Sequence, residues 1–484
     1  MTSTTPDPGS VPEASTAEAA TPQTPVPSVP PTAVDPLARA GSEVLGGPAG
    51  RRLAGDGPWW VRALPVSVLL ATVAVALGAV TKHHCRAQGW NTPDQFVHAC
   101  YSDLPVVYTS SGLASGAGPF SEGVNLGQPP LTALLSWLVA RVAPHEVTVA
   151  AQRTYFDTAA VLLLLAALVV VVAVHSVTGA RRGWDTVLLA ASPVLVLSSL
   201  LSFDLVAAAL ATAGLACWGR RRPVAAGVLL GLALAARAYP LLLLVALVLL
   251  AVRTGRRRAV GLTVGTAFGT WLLVNLPVAL TAPTAWGAPL RSFLDQRAGY
   301  GSLWLLPQLV QQAVGVKDAA GLPGGAVVVL TIGSWVVWVL LVAVFVLWAP
   351  RRPRLPQVAF LLVAGFCVLG ASFPPQASLW LLPLAVLAVP RWRDHVLWWG
   401  AEAAYFGAVW LYIAGQTNTN RALPPELYAT VLLARVAAIA WLVVCVVREV
   451  RHPADDPVRA TRGLDDPAGG DVDRAPDALV VRVA

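Results

Sequence analysis

From residue 61 onward the chain alternates between long apolar stretches and short clusters of arginine. A run of about 20 apolar residues is the length of a membrane-crossing helix, and arginine gathers on the cytosolic side of such helices. Arg51, Arg52 and Arg62 precede the first stretch. Further clusters stand at Arg181 and Arg182, Arg220 to Arg222, Arg256 to Arg258, Arg351, Arg352 and Arg354, and Arg391 and Arg393. Placing every cluster inside demands an even number of crossings between clusters. The threading that satisfies this crosses at 61–80, 154–178, 184–201, 205–218, 223–236, 239–252, 259–281, 325–349, 357–373, 376–390, 395–414 and 427–447. The expectation is an all-α polytopic membrane protein of about 12 transmembrane helices, with both termini cytosolic and residues 81–153 forming an external loop.

Segments that break the pattern carry information. "PPLTALLSWLVARVAP" is short for a crossing and contains Arg141, so it reads as a helix on the outer membrane surface. The stretch 303–323 reads as interfacial or re-entrant. The pair 223–236 and 239–252 has arms of roughly 14 residues rising only about 21 Å, which leaves its tip within a hydrocarbon core about 30 Å thick. That tip carries Arg237, and an intramembrane charge is a functional candidate by default. These irregular features crowd the outer side. A site facing outward is the natural inference.

Composition supports the membrane reading: 56% of residues are hydrophobic and only 12% charged, against roughly 25% charged in soluble domains. The net charge of +8 lies in inter-helix clusters rather than on one face, which reports topology and argues against nucleic-acid binding. Residues 1–60 and the tail 448–484 are rich in proline and polar residues and are expected to be disordered and cytosolic.

Three stretches, "CYSDLPVVY" with "QPPL", "LSFDLVAAALATAGLACWGRRRPVAAGVLLGLALAARAYPLLLLV" and "FLDQRAGYGSLWLLPQ", resemble the GT-C integral membrane glycosyltransferases. The nearest branch is the actinobacterial polyprenol-phosphate-mannose-dependent mannosyltransferases of glycosyltransferase family 87. The resemblance spans roughly residues 60–450. It implies a GT-C-like bundle in the plasma membrane that takes a sugar, mannose in that family, from a polyprenyl-phosphate donor at the extracytoplasmic face. The acceptor would be lipid-linked, a glycan or a protein, with membrane lipids as surroundings and no cofactor. The family's catalytic acid lies in the first external loop, at the position of Asp103. By the same resemblance Asp204 is the second acid of the site. The family usually has an acidic or aromatic residue before its proline-containing segment, whereas Gly127 and Gln128 stand here before Pro129 and Pro130.

The chemistry fits these residue types. A hydroxyl acceptor needs a base, which a carboxylate supplies; the phosphate leaving group needs positive charge, for which Arg237 and Arg297 are candidates. Tyr300, Ser302 and Trp304 accompany Arg297 as candidate substrate-binding residues, or as interfacial anchors. Asp103 and Asp204 each have a plainer alternative as helix N-caps. Cys85 and Cys100 share the external loop and can form a disulfide there, worth roughly 3 kcal/mol for a loop of about 15 residues. His83 and His84 invite a metal reading, but adjacent histidines face different ways on a helix and no acid cluster adjoins them in sequence, so no metal is expected.

Overall fold

In a bilayer every backbone N–H must find its acceptor within its own segment, which leaves helices as the default for apolar sequence. The computed structural model describes residues 1–2, 35–38, 40, 59, 62–417, 422–461 and 463–479, and among them it is all-helical, without a strand. Five helices are long and apolar enough to cross a membrane: Ala63–Thr81, a run from Val149 that bends at Gly179 and continues to Ala190, Arg257–Thr281, Gly324–Trp348 and Pro425–Arg451. Their outward surfaces carry rows of exposed aliphatic side chains, such as Val329, Val336, Val337, Leu340 and Val344. Such a surface is unfavourable in water and matches lipid. The chain is a multi-pass membrane protein.

Shorter apolar helices fill the interior, among them Asp204–Gly219, Pro223–Ala236, Pro240–Thr254, Leu355–Val368 and Ser378–Ala388. Pro223–Ala236 lies against Arg257–Thr281 through Gly227 and Gly231. A Cβ at Gly231 would stand 2.4 Å from the carbonyl oxygen of Ala267, and one at Gly227 1.8 Å from Thr266 Oγ1. This small-xxx-small spacing permits the close helix contact on which membrane proteins rely.

The stretch 184–201, expected as one crossing, is not one helix. A 3₁₀ turn at Gly183–Asp185 leads to the short helices Thr186–Ala190 and Pro193–Ser198. Pro193 has no N–H and disfavours helix in the residue before it, and Ser192 Oγ caps the second piece by accepting from Val194 N at 3.2 Å. The segment 303–323 holds a 3₁₀ turn and the helix Leu306–Ala313. A further amphipathic helix, Pro283–Leu294, was not expected.

The tail also departs from expectation. Residues 452–461 and 463–479 are packed across one end of the bundle, where their acids meet the arginine clusters. Arg354, buried, donates to Asp456 at 2.8 and 3.1 Å; Arg253 and Arg352 both reach Asp477; Asp466 accepts from Leu355 N at 2.7 Å; and Trp218 Nε1 donates to Gly469 O at 2.9 Å. A polar, proline-rich composition predicts disorder when it has nothing to bury. Here Asp456 and Asp477 complete guanidinium groups already present at the helix ends and Asp466 caps a helix N–H, so the segment is held by polar contacts rather than by a core of its own. Of residues 1–60, nearly all lie outside the described residues; Asp35 accepts from Trp392 N at 2.7 Å.

Candidate active site

The end of the bundle away from the arginine clusters is built from helix breaks. Asp204 begins the 16-residue helix that finishes at Gly219, beside the tail, and Arg237 ends the helix that starts at Pro223. Arg237 itself is extended (φ −151°, ψ 154°), because Pro240 starts the next helix and the chain must turn in between. The two charges therefore meet at the same level: Arg237 Nε donates to Asp204 Oδ1 at 2.7 Å and Nη2 to Oδ2 at 3.1 Å. The pair is bidentate, the geometry that suits guanidinium and carboxylate. Ser202 Oγ and Trp380 Nε1 also donate to Asp204, the latter at 3.0 Å, and Trp380 stacks on Tyr239. Arg237 Nη1 donates to Gln128 Oε1 at 2.7 Å. Gln128 thus closes the pair at the position where the sequence departs from the resembled family.

Asp103 sits in the segment between the helices Ala63–Thr81 and Val149–Arg182, at the start of the helix Asp103–Ser110. It does not cap that helix. Ser102 is the cap, its Oγ accepting from Leu104 N at 3.3 Å. The Asp103 carboxylate is held instead by two neutral donors, Tyr101 OH at 2.7 Å and Gln376 Nε2 at 3.1 Å, while its backbone N–H donates to Leu201 O at 2.8 Å. That backbone bond anchors Asp103 to the turn just before Asp204. Asp204 likewise makes no cap: its side chain is spent on Arg237, Ser202 and Trp380. Both cap alternatives fall away on these contacts.

Desolvation in this half-buried position raises the Asp103 carboxyl from 3.8 to about 6; the Tyr101 hydrogen bond opposes the rise, the nearby Asp204 charge adds to it, and Arg237 and Lys82 oppose it. Lys82, buried just beyond the end of the first helix, donates to Tyr101 O at 2.8 Å, and its burial brings its ammonium down from 10.5 to about 7. Asp103, Gln128, Ser202 and Arg237, with Thr132 and Tyr155, line one small pocket. Cys85 and Cys100 are joined, with Cα atoms 5.8 Å apart. Their bridge fixes the strand of loop that runs into Tyr101 and Asp103.

Arg297, Tyr300, Ser302 and Trp304 form a different group. Ser302 Oγ donates to Gly370 O at 2.8 Å and Trp304 Nε1 to Leu369 O at 3.0 Å, while Arg297 and Tyr300 are exposed. Among the described residues they give no hydrogen bond to Asp103, Asp204 or Arg237. Their contacts grip the loop 369–377, which Arg435 also holds through Phe373 O at 2.6 Å and Ser378 Oγ at 2.8 Å. That loop delivers Gln376 to Asp103. Arg435 is itself buried and paired with Glu402 at 3.0 Å.

Sequence reasoning did not find Gln376, Trp380, Tyr101 or Lys82. The polar break "FPPQASLW" between two apolar runs was the available signal for the first two.

A family model described as GPI transamidase subunit PIG-U matches residues 109–296. The matched stretch includes Gln128, Asp204 and Arg237 and leaves out Asp103. Among curated proteins none matches the chain.

Proposed function

We propose that the chain is a membrane glycosyltransferase that moves a sugar from a polyprenyl-phosphate donor to an extracytoplasmic acceptor, with mannose the sugar favoured by its resemblance to family 87. Asp103 is the base. It takes the proton of the acceptor hydroxyl as that oxygen bonds to the anomeric carbon, while the bond from that carbon to the phosphate oxygen breaks on the opposite side. The anomeric centre inverts, and the departing phosphate carries the electron pair away. Arg237 lines the cavity, with four of its acceptors already provided by Asp204, Gln128 and Ala236. A guanidinium has five N–H donors, so one remains for the developing phosphate charge.

A single observation carries this reading: an acid that makes no helix cap is held by two neutral donors beside a second acid already neutralised by an arginine. Twelve crossings, with Asp103 outside and both termini inside, are the topology this reading uses. The test is sugar transfer from a polyprenyl-phosphate donor by purified protein in nanodiscs. Asp103→Asn keeps size and one accepting oxygen and is expected to fold while losing at least about 10²-fold in turnover. Wild-type turnover by this variant would refute Asp103 as base.

The match to a transamidase subunit favours one other reading, a non-catalytic member of a membrane protein complex. That reading expects a stable co-purifying partner, no transfer activity in the wild type, and no effect of Asp103→Asn on assembly.

A further inference from the structure

Away from this site, the external loop brings three metal-binding side chains into one place. His84 lies on the short helix His83–Gln88; Asp94 begins the helix Asp94–Val97, and His98 follows it. His84 Nε2 stands 2.5 Å from Asp94 Oδ2, and His98 Nδ1 stands 3.0 Å from Asp94 Oδ1. The two imidazole rings stack with centroids 3.6 Å apart, and the ligand atoms of all three residues lie within 4.8 Å of one another. The sequence expectation of no metal rested on the pair His83 and His84, with no acid beside them. Folding changes the partner. His83 is exposed and lies outside the cluster, while the return of the chain at residues 94–98 supplies the carboxylate and the second imidazole.

We propose that His84, Asp94 and His98 bind a divalent transition-metal ion, with Zn²⁺ the best match. Two imidazoles and one carboxylate, with a further position left to water, are a donor set that zinc takes up readily; magnesium and calcium prefer oxygen ligands throughout. Side chains between 36% and 43% exposed leave the ion a path from solvent. Preorganisation comes from the disulfide: Cys85 follows His84 directly and Cys100 lies two residues after His98, so the bridge holds the two ligand-bearing segments together before any ion arrives. An ion here would add a second cross-link across the same loop, five residues before Asp103. The site does not depend on the assignment of the glycosyltransferase reaction.

The experiment uses the full-length protein in detergent, purified with a histidine-free affinity tag and stripped of metal by a chelator that is then removed. Zn²⁺ is titrated in competition with a chromophoric chelator, and Co²⁺ absorption reports ligand geometry. One equivalent is expected to bind at micromolar concentration or tighter, raising the melting temperature. His98→Ala and Asp94→Asn are expected to weaken binding by at least roughly tenfold and to abolish the Co²⁺ visible bands, while His83→Ala leaves both unchanged. Melting temperatures of the variants in chelator, equal to that of the wild type, confirm that they are folded. Absence of a binding step in the wild type, or equal weakening by His83→Ala and His98→Ala, would overturn the site.

Discussion

If Asp103 is the base, the pH profile of transfer must carry its displaced titration. A carboxyl that titrates at about 6 is about 90% ionised at pH 7 and about 10% at pH 5, whereas an ordinary aspartate at 3.8 stays more than about 90% ionised at both. Transfer measured as kcat/KM should therefore fall almost tenfold between pH 7 and pH 5, with its acid limb centred near 6. The hydrogen bond from Tyr101 OH favours the ionised carboxylate, so Tyr101→Phe should move the limb to higher pH. Stability runs the other way. A folded-state value above the unfolded one means the folded protein retains the proton more firmly, so ionisation of Asp103 costs stability as pH rises from about 4 through about 6. Asp103→Asn removes that cost and should melt higher than the wild type at pH 7, even as it stops turning over. The assay is initial-rate transfer in nanodiscs from pH 4.5 to 8, with melting curves on the same samples. A limb near pH 4, or a Tyr101→Phe limb shifted to lower pH, would refute the reasoning.

Other consequences concern charges and contacts that the fold has buried. Arg237→Ala leaves Asp204 buried without its cation and should cost about 3–5 kcal/mol by thermal or denaturant unfolding, while Arg237→Ala with Asp204→Ala should cost less than the single change. Asp456→Ala takes the nearer acid from the buried Arg354, which keeps Glu449 at 3.8 Å, and should lower stability by about 1–3 kcal/mol; a tail that played no structural part would give no change. Gly231→Val drives a side chain into Ala267 O, and overpacking of about 1–3 kcal/mol or more should appear as reduced folded yield on size exclusion, whereas the same change at Gly261, where nothing lies within 4 Å, should be tolerated.

Helix positions were legible where a local rule decides them. The expected crossing 223–236 coincides with Pro223–Ala236, 325–349 with Gly324–Trp348 to within a residue, and 427–447 lies inside Pro425–Arg451, because proline starts and arginine clusters mark helix ends in the sequence itself. The arginine clusters carried a second message that composition did not reveal. Those at 181–182, 351–354 and 391–393, with Arg253, share one end of the bundle, where the tail's acids neutralise several of them. Nothing local in "RHPADDPVRA" says that Asp456 will meet an arginine 102 positions earlier. The break at Ser192 and Pro193 was visible as a dipeptide, but the apolar run around it outweighed it.

The site divides in the same way. Arg237 was identifiable as a charge placed where charges are expensive, and Asp103 and Asp204 through the resemblance of their stretches to a known family, yet the contacts of all three are set by partners far away in sequence. Asp204 receives two donors from Arg237 at a separation of 33 residues and one from Trp380 at 176; Asp103 receives Gln376 at 273. That distribution is what distinguishes the two acids. Asp204 is bound by a cation and two further donors, so its charge is already neutralised and its basicity is spent. Asp103 has only a phenol and an amide, neither of which brings a positive charge into contact. The cap question turned on a single residue: with Ser102 satisfying the first turn, the neighbouring carboxylate is free of the helix and available to the cavity. A sequence containing "SDLP" offers both cap candidates side by side, and only the direction of the Asp103 side chain, toward Tyr101 and Gln376, separates a helix cap from an acid that lines the pocket.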